Sequence, residues 1–184
     1  TFFTELAVNK LYGLMTQDAT YSRDIPIVLS TNSDCELVDG LGTDANNTTH
    51  ERGAMNYNVS PGWSKLSNVW DAMYSIIENA NLIVEGINKS SLLTSGDSDQ
   101  RAMERFKGEA LTIRAMVYFD LIRLFGDIPY KSESSNPNLG NVYLGKSDRD
   151  VIMDELIKDL ETAITLLPWA GEVSAYTTER VTKG

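Results

Sequence analysis

The sequence predicts an all-α fold of antiparallel helical hairpins that are joined by long loops. Three stretches carry apolar residues at helical spacing, at about residues 64–87, 98–125 and 148–167. The stretches between them, at 40–62, 90–97 and 132–145, are polar and rich in the residues typical of loops. Almost no strand pattern is present, and 184 residues suffice for one sizeable core, so we expect a single helical domain.

The N-terminal region predicts one helix, followed by a stretch that has two interpretations. We expect Thr4 to cap this helix, which fades near residues 18–20. Its apolar face comprises Leu6, Ala7, Leu11, Leu14 and Met15. Residues 25–29 form either a second, short helix or an extended stretch, since Pro26 restricts the residue before it. The stretch at 40–62 is predicted to be a surface loop, and loops of that length are often functional.

The helix predicted at residues 64–87 has one long apolar face. This face comprises Leu66, Val69, Trp70, Met73, Ile77, Ala80, Val84 and Ile87. Trp70 and Tyr74 lie along this stripe, so we expect both rings to belong to the core.

The segment at residues 108–130, GEALTIRAMVYFDLIRLFGDIPY, is the most informative part of the chain. Its helix should start near residue 98 and end at Phe125, because Gly126 allows a left-handed turn and Pro129 cannot continue a helix. Two apolar stripes run along this helix. They comprise Ala110, Ile113, Val117, Leu121 and Leu124, and Leu111, Ala115, Phe119, Ile122 and Phe125. We therefore expect it to be covered on two sides, inside a layered helical array.

Four charged residues interrupt the apolar character of this helix: Glu109, Arg114, Asp120 and Arg123. Because an unpaired buried charge is costly, each should pair or reach the surface. Asp120 and Arg123 have the spacing of an i,i+3 pair. Arg114 is expected to reach a helix-end carbonyl or an acid of a neighbouring helix. We interpret these residues as specifying the fold rather than as catalytic.

The last helix is predicted to have Ser147 as its cap, with Asp148 and Asp150 in its first turn, and Pro168 ends it. Its apolar face comprises Ile152, Leu156, Leu160, Ala163, Ile164 and Leu167. Trp169 follows the proline directly, and we expect it to seal the end of the helix.

Charge and composition exclude several classes of function. The net charge is −10 and no cluster of lysine and arginine is present, which argues against nucleic-acid binding.

Cys35 is the single cysteine, so no internal disulfide can form, and we interpret it as a buried apolar side chain. No stretch has the length of a membrane span, and no signal peptide is recognisable.

Motifs for catalysis and metal binding are weak. His50, the single histidine, lies beside Glu51 and could pair with it as a general base, but a solvated loop histidine is the simpler interpretation. Asp97 and Asp99 could hold calcium, but the other acids of an EF-hand loop are lacking, so Asp99 is interpreted as lying at the start of a helix. We predict no catalytic residues, no metal site and no cofactor.

The loop at 40–62 and the residue that follows it favour ligand binding. Sugar sites combine exposed aromatic faces with polar side chains that satisfy the hydroxyl groups. This segment alone is loop-like, rich in amides and aromatic at once. The candidate ligand-binding residues are Asn46, Asn47, His50, Arg52, Asn56, Tyr57 and Trp63. For Trp63, packing onto the helix that follows is an equal alternative.

Four segments, in order along the chain, resemble the RagB/SusD family. They are W-x-x-M-Y-x-x-I-x-x-A-N at 70–81, the segment GEAL…RA…YFDL…RLFGDIP at 108–129, I-x-D-x-x-I-x-D-L-x-x-A-x-x-x-L-P at 152–168, and R-V-T-K-G at 180–184. In the last segment, Glu179 stands where the family usually has glycine. The resemblance covers nearly the whole chain, and four motifs in order make it specific.

The resemblance implies a right-handed array of tetratricopeptide-like helical pairs that supports a loop-rich ligand region. It also implies an outer-membrane lipoprotein that binds glycans without catalysis and hands them to a SusC-like TonB-dependent transporter. The lipid anchor is expected upstream of residue 1, and residues 1–184 are expected to be the N-terminal portion of a longer protein. The family has no fixed ligand motif, so the candidate residues rest on loop composition alone.

A helical array that is cut between repeats exposes an apolar face, so this piece is expected to self-associate or to be marginally stable. The alternatives to glycan capture are a helical-repeat scaffold that binds a protein partner and a carbohydrate-active enzyme.

Overall fold

The computed structural model describes residues 1–29, 64–94, 96, 98–135, 140, 143–172 and 180–183. Within these ranges the α-helices are α1 (Phe2–Met15), α2 (Ser64–Asn88), α3 (Ser98–Phe125) and α4 (Arg149–Leu166). Shorter helical segments are the π-helical Asp18–Ser22 and Asp24–Leu29 and the 3₁₀ turn Ser91–Thr94. The described ranges contain no β-strand, only isolated bridges between residues 128 and 147 and between 169 and 183. The predicted all-α fold is confirmed.

The chain divides into two compact units, Thr1–Leu11 with Ser75–Gly184, and Tyr12–Tyr74. In the second unit, the chain leaves α1 through Thr20, whose backbone is non-helical (φ −125°, ψ −126°). The Thr20 hydroxyl oxygen lies 3.0 and 2.8 Å from the carbonyl oxygens of residues 14 and 15. It therefore sits among the carbonyl groups that the last turn of α1 leaves unpaired.

The ambiguous stretch at residues 25–29 is helical, since it lies within the π-helical segment that starts at Asp24. Asp24 is buried, and its Oδ1 lies 2.8 Å from Arg23 Nε and 3.6 Å from Lys65 Nζ. Two cations therefore compensate the buried carboxylate and link this segment to the first turn of α2.

Trp70 and Tyr74 of α2 are half-buried rather than enclosed in the core, which corrects the prediction. Their rings pack against each other with centroids 4.8 Å apart. Val69 and Met73, one residue earlier in each case, are fully buried. The aromatic pair therefore lies at the edge of the apolar stripe and not at its centre, and burial raises the pKa of the Tyr74 hydroxyl.

Helices α2, α3 and α4 supply most of the core of the larger unit. Its buried apolar residues include Ile76, Ile77, Ile83, Ile87, Met103, Phe106, Ala110, Ile113, Val117, Tyr118, Leu121, Ile152, Leu156, Ala163 and Leu167. Gly108 allows α3 to approach the end of α4, because a Cβ at this position would lie 2.8 Å from Leu167 Cγ. Gly126, which follows α3, has a φ of 76°, as its predicted left-handed turn requires.

The predicted bounds of α2 and α3 agree with the structure to within one residue, but the start of α1 differs. Helix α1 begins at Phe2 rather than after a cap at Thr4. Its buried residues are Val8 and Leu11, whereas Leu6, which was expected on the apolar face, is exposed. Leu11 is buried as predicted, so the packed face overlaps the predicted one but is shifted from Leu6 towards Val8.

The predicted cap of α4 is wrong by one residue. Asp148 is the cap, and its carboxylate accepts a hydrogen bond from the Asp150 N–H at 2.8 Å. The N–H of Ser147 donates to the Ile128 carbonyl at 2.9 Å. Because Ser147 belongs to this bridge, the next residue takes the capping position.

Two predicted apolar faces are only partly covered. In the second stripe of α3, Leu111 and Ala115 are buried but Phe119 is exposed. On α4, Leu160 and Ile164 are exposed, although both were expected on the buried face. Helix α4 thus packs one face against α3, and no described residue covers its second apolar stripe.

Candidate functional site

The segment that follows α3, residues 131–135, is held by polar side chains from three helices. These side chains, here called the loop-anchoring network, are Glu78, Asn81 and Glu85 of α2, Arg114 and Tyr118 of α3, and Asp159 of α4. A segment without regular secondary structure leaves its backbone polar groups unpaired. Side chains that pair with those groups therefore fix the path of the segment.

Arg114 occupies the centre of the network. Its Nε and Nη2 donate to the two carboxylate oxygens of Asp159 at 2.8 and 2.7 Å, and its Nη1 donates to Asn81 Oδ1 at 2.7 Å and to the Ser132 carbonyl at 3.0 Å. Burial alone would lower the pKa of the guanidinium, but the Asp159 carboxylate outweighs it and raises that pKa. The buried cation is therefore fully compensated.

Tyr118 and Asn81 fix the backbone of the anchored segment. The Tyr118 hydroxyl lies 3.0 Å from both the N–H and the carbonyl of Lys131, accepting from the first and donating to the second. The amide of Asn81 donates to the Glu133 carbonyl at 2.9 Å. These neutral groups pair with part-buried backbone atoms without adding charge.

Glu78 and Glu85, seven residues apart on α2, bind successive backbone N–H groups. Glu85 accepts from the Ser134 N–H at 2.6 Å, and Glu78 accepts from the Ser135 N–H at 2.7 Å and from Lys131 Nζ at 2.6 Å. The Ser134 N–H holds the pKa of Glu85 below its usual value. Burial opposes this effect at Glu78, but the hydrogen bonds from Lys131 and Ser135 outweigh it and lower that pKa as well.

The chemistry of the network is that of an anchor. The carboxylates of Glu78 and Glu85 accept hydrogen bonds that favour their ionised form, and the Arg114 guanidinium is paired with Asp159. Burial raises the pKa of Tyr130, whose ring packs on Tyr118 with centroids 5.0 Å apart, to about 12. In the part of the chain that the structure describes, no group of three His, Cys, Asp or Glu side chains is arranged to hold a metal ion.

A second buried cluster joins the C-terminal residues to α3. The carboxylate of Glu109 is fully buried, and Arg180 Nε lies 3.0 Å from its Oε2, while Arg105 Nε lies 3.5 Å from its Oε1. Arg180 Nη1 also donates to Asn9 Oδ1 of α1 at 3.0 Å. The Arg180 guanidinium lies 5.7 Å from the ring centre of Phe106. This cluster therefore ties three distant parts of the chain together.

The predicted pairings of the charged residues in α3 are confirmed. Arg114 reaches both an acid of a neighbouring helix, Asp159, and a backbone carbonyl. Asp120 pairs with Arg123 at 3.0 Å.

The segments that carry the family resemblance meet in these clusters: 70–81 supplies Asn81, 108–129 supplies Arg114, 152–168 supplies Asp159, and 180–184 supplies Arg180 to Glu109.

The seven candidate ligand-binding residues all lie outside the described residues. They are Asn46, Asn47, His50, Arg52, Asn56, Tyr57 and Trp63. Cys35 and Asp97 also lie outside the described ranges. The assignments made for these positions stay predictions.

Two exposed aromatic residues were not among the candidates. Tyr143, in the second long loop, is 93% exposed, and Trp169 is 55% exposed. Trp169 therefore does not seal the end of α4 as predicted. The backbone N–H of Trp169 donates to Glu172 Oε2 at 2.7 Å, and Lys183 Nζ lies 5.4 Å from the centre of the Trp169 ring. An aromatic residue inside a polar loop was the signal that could have found Tyr143.

The fold and its buried clusters define a class of protein in which stacked helices hold connecting segments in place. A family model described as "Starch-binding associating with outer membrane" matches residues 5–183. The chain therefore belongs to the SusD-like family. None of the helices in the described ranges is long and apolar enough to cross a membrane.

Similar proteins agree with this assignment. The chain is 27% identical over 161 residues to SusD-like protein P25 of Formosa agariphila, and 24% identical over 164 residues to SusD-like protein P2 of the same organism. These matches cover 88% and 89% of the chain but only 28% and 30% of the two relatives. The chain thus spans less than a third of their length.

Solved structures show the same fold. A SusD homologue from Bacteroides thetaiotaomicron matches 98% of the chain with a TM-score of 0.83 at 23% identity, over 33% of its own length. A laminarin-binding SusD-like protein matches the whole chain with a TM-score of 0.79 at 21% identity, over 37% of its own length. Surface glycan-binding protein A from Bacteroides fluxus gives a TM-score of 0.76 at 20% identity, over 98% of the chain and 36% of that protein.

Proposed function

We propose that this protein captures a glycan at the outer face of the outer membrane, without changing it chemically, and passes it to a SusC-like TonB-dependent transporter. The observation that carries the proposal is the match of residues 5–183 to a family described as starch-binding and associated with the outer membrane. Relatives of the same fold include proteins named for binding laminarin and surface glycans. In the full-length protein, a lipid anchor upstream of residue 1 holds the protein to the membrane.

The helices act as a scaffold, and the loops provide the ligand contacts. The loop-anchoring network supports this division, because five of its side chains contact a non-helical segment directly and the sixth, Asp159, pairs with Arg114. The proposed contacts lie in the loop at 40–62 and at the residue after it. They are Asn46, Asn47, His50, Arg52, Asn56, Tyr57 and Trp63. The chain itself is proposed to be the N-terminal portion of a longer SusD-like protein.

Polysaccharide retention on affinity gels tests the glycan site. Native electrophoresis through gels that contain laminarin or soluble starch should retard the wild-type protein. The double variant Tyr57→Ala/Trp63→Ala should bind about tenfold more weakly, as expected when roughly 1.4 kcal/mol of stacking energy is lost. Phe119→Ala is the matched control, because it removes an exposed aromatic side chain from α3 and not from the loop.

The outcomes separate the parts of the proposal. Retention that the double variant leaves unchanged would move the site away from the loop at 40–62. Glycan capture would be contradicted if the wild-type protein were not retarded by laminarin, by soluble starch or by any other neutral polysaccharide in the gel. Reducing sugar released from the bound polysaccharide would contradict binding without catalysis. Co-purification from detergent-solubilised outer membranes should recover a TonB-dependent transporter, and its absence would contradict the transfer step alone.

A further inference from the structure

The side chain of Tyr143 differs from those of the other described tyrosines in its exposure. Tyr143 is 93% exposed, and the three residues that follow it are exposed as well. No described residue forms a hydrogen bond, an ion pair or a ring contact with its side chain. The other tyrosines that the structure describes are buried or half-buried: Tyr12, Tyr21, Tyr74, Tyr118 and Tyr130. The face of the Tyr143 ring is therefore available to a ligand.

The loop that carries Tyr143 is closed at its base, next to the start of α4. The N–H of Ser147 donates to the Ile128 carbonyl at 2.9 Å, and Asp148 caps α4 directly afterwards. Tyr143 lies four residues before Ser147, and four extended residues span at most about 14 Å. The Cα of Tyr143 therefore stays within that distance of the bridge, whatever path the chain takes between them.

The other side of the loop is fixed by the loop-anchoring network. Glu85 and Glu78 accept the N–H groups of Ser134 and Ser135 at 2.6 and 2.7 Å. Both sides of the loop are thus held by contacts within the protein, before any ligand binds. A side chain on a loop with fixed ends loses less conformational freedom when it contacts a ligand, and this favours affinity.

The apolar surface around Tyr143 is small. Between α3 and α4, Leu144 is the only other large apolar residue that is exposed in the part of the chain that the structure describes, and its exposed fraction is 40%. A stable protein–protein interface buries roughly 800 Å² on each partner, far more than two side chains provide. One aromatic face does match the apolar face of a single pyranose ring. The surroundings therefore favour a sugar over a protein partner.

The exposed charges of the same loop favour a neutral sugar. Among its described residues, Asp127, Glu133 and Asp148 are exposed acids, whereas Lys146 is the only exposed base. An excess of acidic side chains repels an acidic polysaccharide, because like charges lower affinity and slow association. A neutral polysaccharide is not affected by this repulsion.

We propose that Tyr143 is a stacking platform for one pyranose ring of a neutral glycan. The inference rests on the proposed function, glycan capture, and adds to it a binding residue 80 positions after Trp63 in the sequence. The aromatic face makes the contact, and the hydroxyl group is not required for it. The bridge at Ser147 and the loop-anchoring network act as positioning elements, since they fix the two sides of the loop that presents the ring.

A series of substitutions at residue 143 tests the inference by affinity electrophoresis through gels that contain laminarin or soluble starch. Tyr143→Ala should bind the retarding polysaccharide about three- to tenfold more weakly than the wild type. Tyr143→Phe and Tyr143→Trp keep an aromatic face, so both should bind within about twofold of the wild type. Leu144→Ala is the matched control, because it removes the neighbouring exposed apolar side chain, and its retardation should equal that of the wild type.

Four results would overturn the inference, and they separate it from the proposed function. Wild-type retardation of Tyr143→Ala would remove Tyr143 from the site and leave glycan capture intact. A loss in Tyr143→Phe as large as that in Tyr143→Ala would assign the contact to the hydroxyl and not to the ring. Normal retardation of Tyr143→Ala, together with lower recovery of a TonB-dependent transporter on co-purification, would make a protein the partner of this loop. A wild-type protein that no neutral polysaccharide retards would contradict glycan capture itself, and the inference with it.

Discussion

Helices α3 and α4 have similar fractions of apolar residues but differ in how many of these residues they bury. Both have two apolar stripes, and each packs one of them against the other helix. Helix α3 is enclosed over most of its length, from Met103 to Leu121, whereas α4 buries only Ile152, Leu156 and Ala163. An apolar stripe at helical spacing therefore predicts a helix, but it does not show whether both of its apolar faces are buried.

The two helices also differ in how many charged side chains they bury. Helix α3 buries Glu109, Arg114 and Asp120, each with an oppositely charged partner. Helix α4 contributes only Asp159, from the side that faces α3. The contact between the helices is thus fixed by a buried ion pair near its middle and by the close approach of Gly108 to the end of α4.

Removing Arg114 should have the largest effect on this contact. Arg114→Ala leaves Asp159, Asn81 and the Ser132 carbonyl without their shared donor. Breaking a buried ion pair from one side costs about 3–5 kcal/mol of unfolding free energy. Urea denaturation followed by circular dichroism measures it. Arg123→Ala is the matched control, because Arg123 is half exposed and loses less than about 1 kcal/mol. Equal losses in the two variants would show that the α3–α4 contact does not depend on the buried pair.

Adding one methyl group at Gly108 should have the next largest effect. Gly108→Ala places a Cβ 2.8 Å from Leu167 Cγ, and such overpacking costs about 1–3 kcal/mol. The better helix propensity of alanine returns about 0.5–1 kcal/mol, so a net loss is expected. Gly86→Ala is the control. No atom lies within 4 Å of its Cβ, and it should raise the melting temperature. A stabilised Gly108→Ala protein would mean that α3 and α4 can move apart at little cost.

The sequence was sufficient to predict the local parts of this comparison. The bounds of α2 and α3 follow from apolar spacing, from the turn at Gly126 and from the polar breaks on either side, all of which act within a few residues. The i,i+3 pair of Asp120 and Arg123 is local in the same sense. The choice between Ser147 and Asp148 as a cap failed because it depends on a bridge to Ile128, 19 residues earlier in the chain.

The candidate site was harder to predict, because its residues are distant in the sequence. Arg114 meets Asn81 across 33 residues and Asp159 across 45, and no spacing rule connects such positions. The family resemblance picked out all three without indicating that they touch. The proposed glycan contacts at 40–62 rest on composition alone, since the described residues do not include them.

The smallest predicted effect concerns pH and the two carboxylates of α2. The pKa values of Glu78 and Glu85 are lowered in the folded protein, from an ordinary value of 4.5. At Glu78 the hydrogen bonds from Lys131 Nζ and the Ser135 N–H outweigh burial, and Glu85 accepts the Ser134 N–H. A lowered folded pKa contributes stability that is present above the unfolded value and is lost as the pH falls through the folded value. The double variant Glu78→Gln/Glu85→Gln should therefore be less stable than the wild type by about 1 kcal/mol at pH 7.

This difference should shrink as the pH falls from 7 to 3.5, because protonation removes the same charges from the wild type. Unfolding free energies from urea titrations at each pH measure it. Asn81→Ala is the control, since it removes a non-titrating anchor of the same segment, and its cost should not follow the ionisation of these carboxylates. A cost of the double variant that is equal at pH 7 and pH 3.5 would show that the carboxylates hold residues 131–135 by shape and not by charge.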